Sequence, residues 1–157
     1  MAQSAMKIKM IDMQDIQLVG FRVLCPGDQY INEIPVAAYR LENHTHEIKH
    51  LVNPRTQIGV FIAGECTDEE DGYWICKEVS KFEGIPEGMV TLTVPPRRYA
   101  VYHYQGVNSH IRKAYEDLHN WIDERNFSRL TGTWCLEIYH DWKDKGRLSV
   151  ELLDPIK

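Results

Sequence analysis

A single glutamate interrupts an otherwise uncharged run, Thr133-Trp134-Cys135-Leu136-Glu137-Ile138-Tyr139. If this run is extended, its side chains alternate between two faces, with Trp134, Leu136 and Ile138 on one and Cys135, Glu137 and Tyr139 on the other. The first set is apolar enough to face a helix-covered core. That leaves Glu137 and Tyr139 on the opposite, partly open face, where a carboxylate beside aromatic rings can hold a lipophilic cation by ion pairing and cation–π attraction. The simpler role is a solvated glutamate paired with Lys145 or Arg147, worth at most ~1 kcal/mol. Rings for a ligand wall are available at Phe61, which occupies the matching place in the first half of the chain, at Tyr73 and Trp74, and at Tyr102 and Tyr104. The expected ligand-binding set is therefore Glu137, Tyr139, Trp74, Tyr102, Tyr104 and Phe61.

A second pattern carries chemistry on paper. His46-Glu47-Ile48-Lys49-His50 matches the H-E-x-x-H spacing in which two histidines on one helical face bind zinc and the glutamate activates its water. The apolar stripe through Leu41, Thr45, Ile48 and Val52 turns both histidines to the opposite side of the expected helix, and Lys49 sets a cation beside the would-be dication. No metal site is expected there. The other histidines form no ligand spacing, and neither a Ser-His-Asp arrangement nor a glycine-rich phosphate loop is present, so no cofactor is expected.

The elements that must position Glu137 come in a repeated order. Ile16 to Cys25 reads as a strand closed by Pro26-Gly27-Asp28. A helix follows, capped by Asn32 and running to Asn53-Pro54, with Ile34, Ala37, Ala38, Leu41, Thr45, Ile48 and Val52 on its buried stripe. Gln57 to Ala63 and Tyr73 to Val79 form a pair of strands across an acidic loop. Beyond Gly84-Ile85-Pro86-Glu87-Gly88 the order recurs: an extended lead from Met89 to Val94, a strand from Tyr99 to Tyr104, and a helix capped by Asn108 or Ser109 with Ile111, Ala114, Tyr115, Leu118 and Ile122 inward. Strands at Thr133 to His140 and Arg147 to Leu153 complete it. The fold expected is α+β, with duplicated β-α-β-β units, antiparallel sheets, two helices on one face and a ligand groove between the halves. One domain spans 8–157, with pseudo-repeats at about 8–83 and 89–157, and residues 1–7 are expected to be disordered.

Composition narrows the function. A chain of 157 residues, 43% apolar, builds its core without staples. Its four cysteines, Cys25, Cys66, Cys76 and Cys135, contain no C-x-x-C pair, and the N-terminus has no export signal, which reads as a reduced, cytoplasmic protein. No apolar run is long enough to span a membrane. A net charge of -5, with no basic cluster beyond Arg97-Arg98, argues against direct nucleic-acid binding.

From Asp71 to Ile156 the chain resembles the GyrI-like small-molecule-binding family, also found as the effector-binding domain of bacterial multidrug-responsive transcription activators of the AraC and MerR types. The resemblance rests on Tyr73-Trp74 leading into Lys77-Glu78-Val79, on Ile85-Pro86-Glu87-Gly88-Met89, Tyr99-Ala100-Val101 and Gly106. It continues through Ala114-Tyr115-Leu118-Trp121, Leu136-Glu137-Ile138-Tyr139 and Asp154-Pro155-Ile156. It implies a duplicated fold whose groove binds hydrophobic, often cationic, aromatic compounds, with the family's ligand-facing glutamate at Glu137. With no room for a helix-turn-helix domain, the expected role is stand-alone binding, sensing or sequestering drugs or toxins. Two alternatives share the resemblance. One is hydrolysis of strained cyclopropane rings in DNA-alkylating natural products, with Glu137 activating water and Tyr139 or Trp74 clamping the substrate. The other is a protein-interaction module of the gyrase-inhibitor type, whose protein partner the sequence does not name.

Overall fold

The computed structural model describes residues 8–157; the expectation for residues 1–7 lies outside them. Eight strands and two helices follow one another as β1 (Ile8–Met13), β2 (Ile16–Val23), α1 (Tyr30–His44), β3 (Gln57–Ile62), β4 (Tyr73–Val79), β5 (Val90–Val94), β6 (Arg97–Gly106), α2 (Ile111–Glu124), β7 (Trp134–Asp141) and β8 (Leu148–Pro155). All eight strands form one antiparallel sheet in the order β1-β6-β8-β7-β3-β4-β2-β5. The two halves are therefore not two sheets in contact. They are joined by the β3–β7 ladder, in which Gly59 lies opposite Glu137 and Phe61 opposite Cys135. Strand β1, whose irregular IKMIDM pattern gives no clean alternation, was not anticipated; it caps the second half by pairing with β6.

Both helices cover the same face of the sheet, each through a short apolar stripe. Ala37, Ala38 and Leu41 of α1 pack on Val19, Phe21, Tyr73 and Ile75. Ala114, Leu118 and Ile122 of α2, spaced by four, pack on Ala100, Val150 and Leu152. Completely burying Leu118 or Ile122 contributes about 1.5–3 kcal/mol each. The other face has no helix over it, yet it holds the largest apolar cluster, in which Ile16, Ile58, Trp74, Tyr99, Trp134 and Leu136 pack together. Val90 and Leu92 from one edge strand and Ile11 and Met13 from the other pack against that same cluster. The sheet thus curls on itself, and this face is covered by the opposite arm of the sheet.

That curl corrects the expected facing of β7. The alternation stands, but Trp134 and Leu136 point into the curl while Glu137 and Tyr139 point toward the helices. The first helix also ends earlier than expected. It starts after Gln29 and stops at His44, where Thr45 Oγ1 bonds back to Leu41 O and a single turn of 3-10 helix, Thr45–Glu47, tightens the end. Ile48 is then extended and His50 takes a φ of 63°. His46 and His50 consequently share no helical face. His44 Nδ1 lies 2.5 Å from Glu47 and His50 Nε2 lies 2.5 Å from Glu83, so the H-E-x-x-H spacing is spent on local surface pairs.

Candidate functional site

Glu137 sits in the middle of the helix-covered face, on the strand next to the seam, and is 7% exposed. A buried carboxylate without partners would be costly, and three phenols supply them. Tyr73 Oη donates to Oε1 at 2.5 Å, Tyr139 Oη donates to Oε1 at 3.0 Å, and Tyr115 Oη donates to Oε2. Each phenol comes from a different element: Tyr73 from β4, Tyr115 from α2 and Tyr139 from β7 itself. Burial first, and then the adjacent Glu137 charge, push all three hydroxyls well above the ordinary phenol range, so they remain donors at any physiological pH. Among the described residues no lysine, arginine or histidine pairs with Glu137. Its negative charge is hydrogen-bonded but not neutralised.

The geometry depends on a missing side chain. Gly59 lies between Glu137 on β7 and Ile75 on β4 in the same cross-strand row. A Cβ there would stand 1.8 Å from Tyr73 Oη, so the glycine leaves the channel through which Tyr73 leans across β3 to reach the carboxylate. Phe61 stacks on Tyr73 with centroids 6.0 Å apart and planes 17° from parallel.

Beside this cage a cleft of about 340 Å³ opens between α1 and the segment leading into α2. Tyr139, Gln57 and Ile75 lie at its floor, Ile34, Ala38 and Ile111 form walls, and Tyr39, Trp142, Lys143 and Lys145 line its outer part. Gln57 is buried there and holds α1 down, donating from Nε2 to Ala38 O at 2.9 Å. Tyr39 and Trp142 meet edge-to-face, with centroids 4.9 Å apart. Of the three cage phenols only Tyr139 lines the cleft, so its ring is the partition between open space and the buried charge.

The residues singled out from the sequence separate accordingly. Glu137, Tyr139 and, one contact away, Phe61 are brought together. Trp74 lies on the curled face, its ring edge-on to Trp134 at 6.0 Å and its Nε1 bonded to Glu70 O; its neighbour Tyr73 has the facing that reaches Glu137. Tyr102 and Tyr104 are on the helix-covered face but two strands from β7, packed with the α2 cluster, and Tyr104 Oη donates to Val107 O. Neither lines the cleft. Sequence reasoning left out Gly59, Gln57 and the role of Tyr115. A glycine inside a strand is itself a sign of close approach by another group, and at Gly59 that signal was readable.

A cleft with largely apolar walls beside a caged carboxyl group is the form of a small-molecule-binding site. The profile of the GyrI-like small molecule binding domain matches residues 6–157, and the chain belongs to that family. SAV2435, solved bound to tetraphenylphosphonium, superposes with a TM-score of 0.72 at 15% identity, covering 97% of this chain and 94% of its own. The C-terminal domain of EcmrR gives 0.69 at 16% identity, over 98% and 99% of the two chains. A hydrolase from Listeria innocua gives 0.55 at 11%, over 97% and 92%. These likenesses show a shared fold. No curated protein sequence matches the chain. No helix among the described residues is long and apolar enough to cross a membrane.

Proposed function

We propose that the cleft binds lipophilic aromatic cations, with Glu137 as the counter-charge and Tyr139 as the ring against which the ligand rests, and that the protein serves to sense or sequester such compounds. The observation that carries this reading is a buried carboxylate with three phenol donors and no cationic side chain paired to it, beside an apolar cleft large enough for a small aromatic molecule. A cation in the cleft meets the ring of Tyr139 and, behind it, the buried carboxylate of Glu137, whose attraction is screened less than that of a surface charge. The ligand printed for SAV2435 is a compound of this class.

The test is a fluorescence titration with tetraphenylphosphonium. Trp142 lines the cleft, whereas Trp74 and Trp134 are buried on the other face and Trp121 packs with Phe127 and Arg125 away from the cleft lining, so saturable quenching that disappears in Trp142→Phe reports occupancy of this cleft. Glu137→Gln is expected to weaken binding by about tenfold or more, about 1.4 kcal/mol. Equal affinity in wild type and Glu137→Gln would defeat the proposal. Hydrolysis of a strained cyclopropane in the same cleft has one feature in its favour: a carboxylate and phenols within proton-transfer distance of one another. Product formed in excess over protein, and lost in Glu137→Ala, would establish that reading instead.

A further inference from the structure

Resting on the reading of the cleft as a cation site, we infer that it selects protonated amines, which carry N–H donors, over permanently quaternary cations, and that Tyr139 is the residue that sets this preference. A carboxylate offers about four acceptor positions. Three are filled in Glu137: two on Oε1, by Tyr73 and Tyr139, and one on Oε2, by Tyr115. The open position is on Oε2, beside Tyr115, which does not line the cleft; from the cleft the charge is reached past Tyr139 on Oε1, and the three donors are not equally free to move.

Tyr73 is pinned between the Phe61 ring and the space left by Gly59, and makes a 2.5 Å bond. Tyr115 is carried on α2, with its ring close to that of His119. Tyr139 alone borders the cleft, and its bond is 0.5 Å longer than that of Tyr73, from 3.0 against 2.5 Å. The β7–β8 register also breaks between Tyr139 and Asp141, and such a bulge loosens the ladder at the point where the side chain must swing. Once Tyr139 leaves, Oε1 has lost a donor in a site shielded from water. An ammonium group brings donors to replace it, with charge; a tetraalkylammonium or phosphonium brings charge alone and leaves Oε1 with the Tyr73 bond only. A quaternary ligand is therefore confined to the outer side of the Tyr139 ring, while an N–H cation exchanges places with the phenol.

A matched pair of probes tests this by calorimetry at neutral pH: 1-naphthylmethylammonium and its N,N,N-trimethyl derivative. The wild type is expected to bind the primary ammonium about tenfold or more tightly than the trimethyl compound. In Tyr139→Phe, where no hydroxyl has to be displaced, affinity for the primary ammonium should rise several-fold and that for the trimethyl compound should change by less than about twofold, widening the gap. Equal or tighter binding of the trimethyl probe to the wild type overturns the inference, as does a gap that is unchanged in Tyr139→Phe. If both probes bind and both weaken in Glu137→Gln, but without preference, the inference alone fails. Absence of binding by either probe overturns it together with the reading on which it rests.

Discussion

Replacing Gly59 with alanine should damage the site more than its size suggests. The added methyl would stand 1.8 Å from Tyr73 Oη and 2.4 Å from Cζ, well inside contact distance. Relief requires Tyr73, stacked on Phe61, to give up its bond to Glu137 and β3 to accommodate the methyl group. Losing a charge-assisted hydrogen bond costs about 1.5–3 kcal/mol, and overpacking a close-fitting interior costs about 1–3 kcal/mol. Alanine offsets about 0.5–1 kcal/mol of this by restricting the unfolded chain. The net expectation is a loss of about 2–4 kcal/mol, read as a urea midpoint lower by about 1–2 M with an unchanged slope. In a Tyr73→Phe background the nearest contact and the bond are both already gone, so the same substitution should cost about half as much. A cost below about 0.5 kcal/mol, or equal costs in the two backgrounds, would refute the account of Gly59 as the residue that makes room for Tyr73.

Two predictions concern titration. Tyr73, Tyr115 and Tyr139 have folded-state pKa values raised above the ordinary 10, so the stability they contribute is complete below pH 10 and falls as the unfolded chain ionises first. An ultraviolet titration of phenolate should therefore miss these three of the eight tyrosines, together with Tyr99, which burial also raises, until alkaline unfolding releases them, and early ionisation of all eight would contradict the cage. On the acid side, His119 is lowered below its ordinary 6.5, chiefly by burial and then by Arg129, so the folded state favours the neutral ring. The unfolded chain then binds the extra proton, and stability declines as pH falls through about 6.5. His119→Asn should flatten the dependence of the urea midpoint on pH between about 6.5 and 5; an unchanged slope would remove His119 from that role.

Much of the fold was readable because turn chemistry punctuates it: Pro26-Gly27-Asp28 and Lys145-Gly146 mark ends that the structure places within a few residues. The facing of β7 was not readable, since both sides of this sheet are buried. When one side lies under helices and the other under the curl, apolar residues accumulate on both, and alternation separates the faces without saying which is which. The same ambiguity separates Tyr73 from Trp74, where a shift of one residue exchanges the cage for the opposite core. Glu137 could be picked out because a charge in an apolar strand is conspicuous, but its partners could not. Tyr73 is 64 residues away and Tyr115 is 22, and they meet through strand register and helix placement. The early end of α1 has a local cause, the tightening into a 3-10 turn at Thr45–Glu47 with Thr45 Oγ1 bonded back to Leu41 O, after which the left-handed His50 redirects the chain; the apolar stripe running on through Ile48 and Val52 hides that stop.

The edge strands carry one more consequence. Strand β1, at the start of the chain, is bonded to β6 of the second half, and β5, just past the midpoint, is bonded to β2 of the first. Each half thus holds a strand of the other, like two hands with crossed fingers. Drawing the halves apart to admit a molecule would tear ladders on both rims as well as the central one, so this clasp does not work as a hinge. Traffic into the cleft, which opens between α1 and the segment leading into α2, therefore runs along the helices and does not call on the sheet to part.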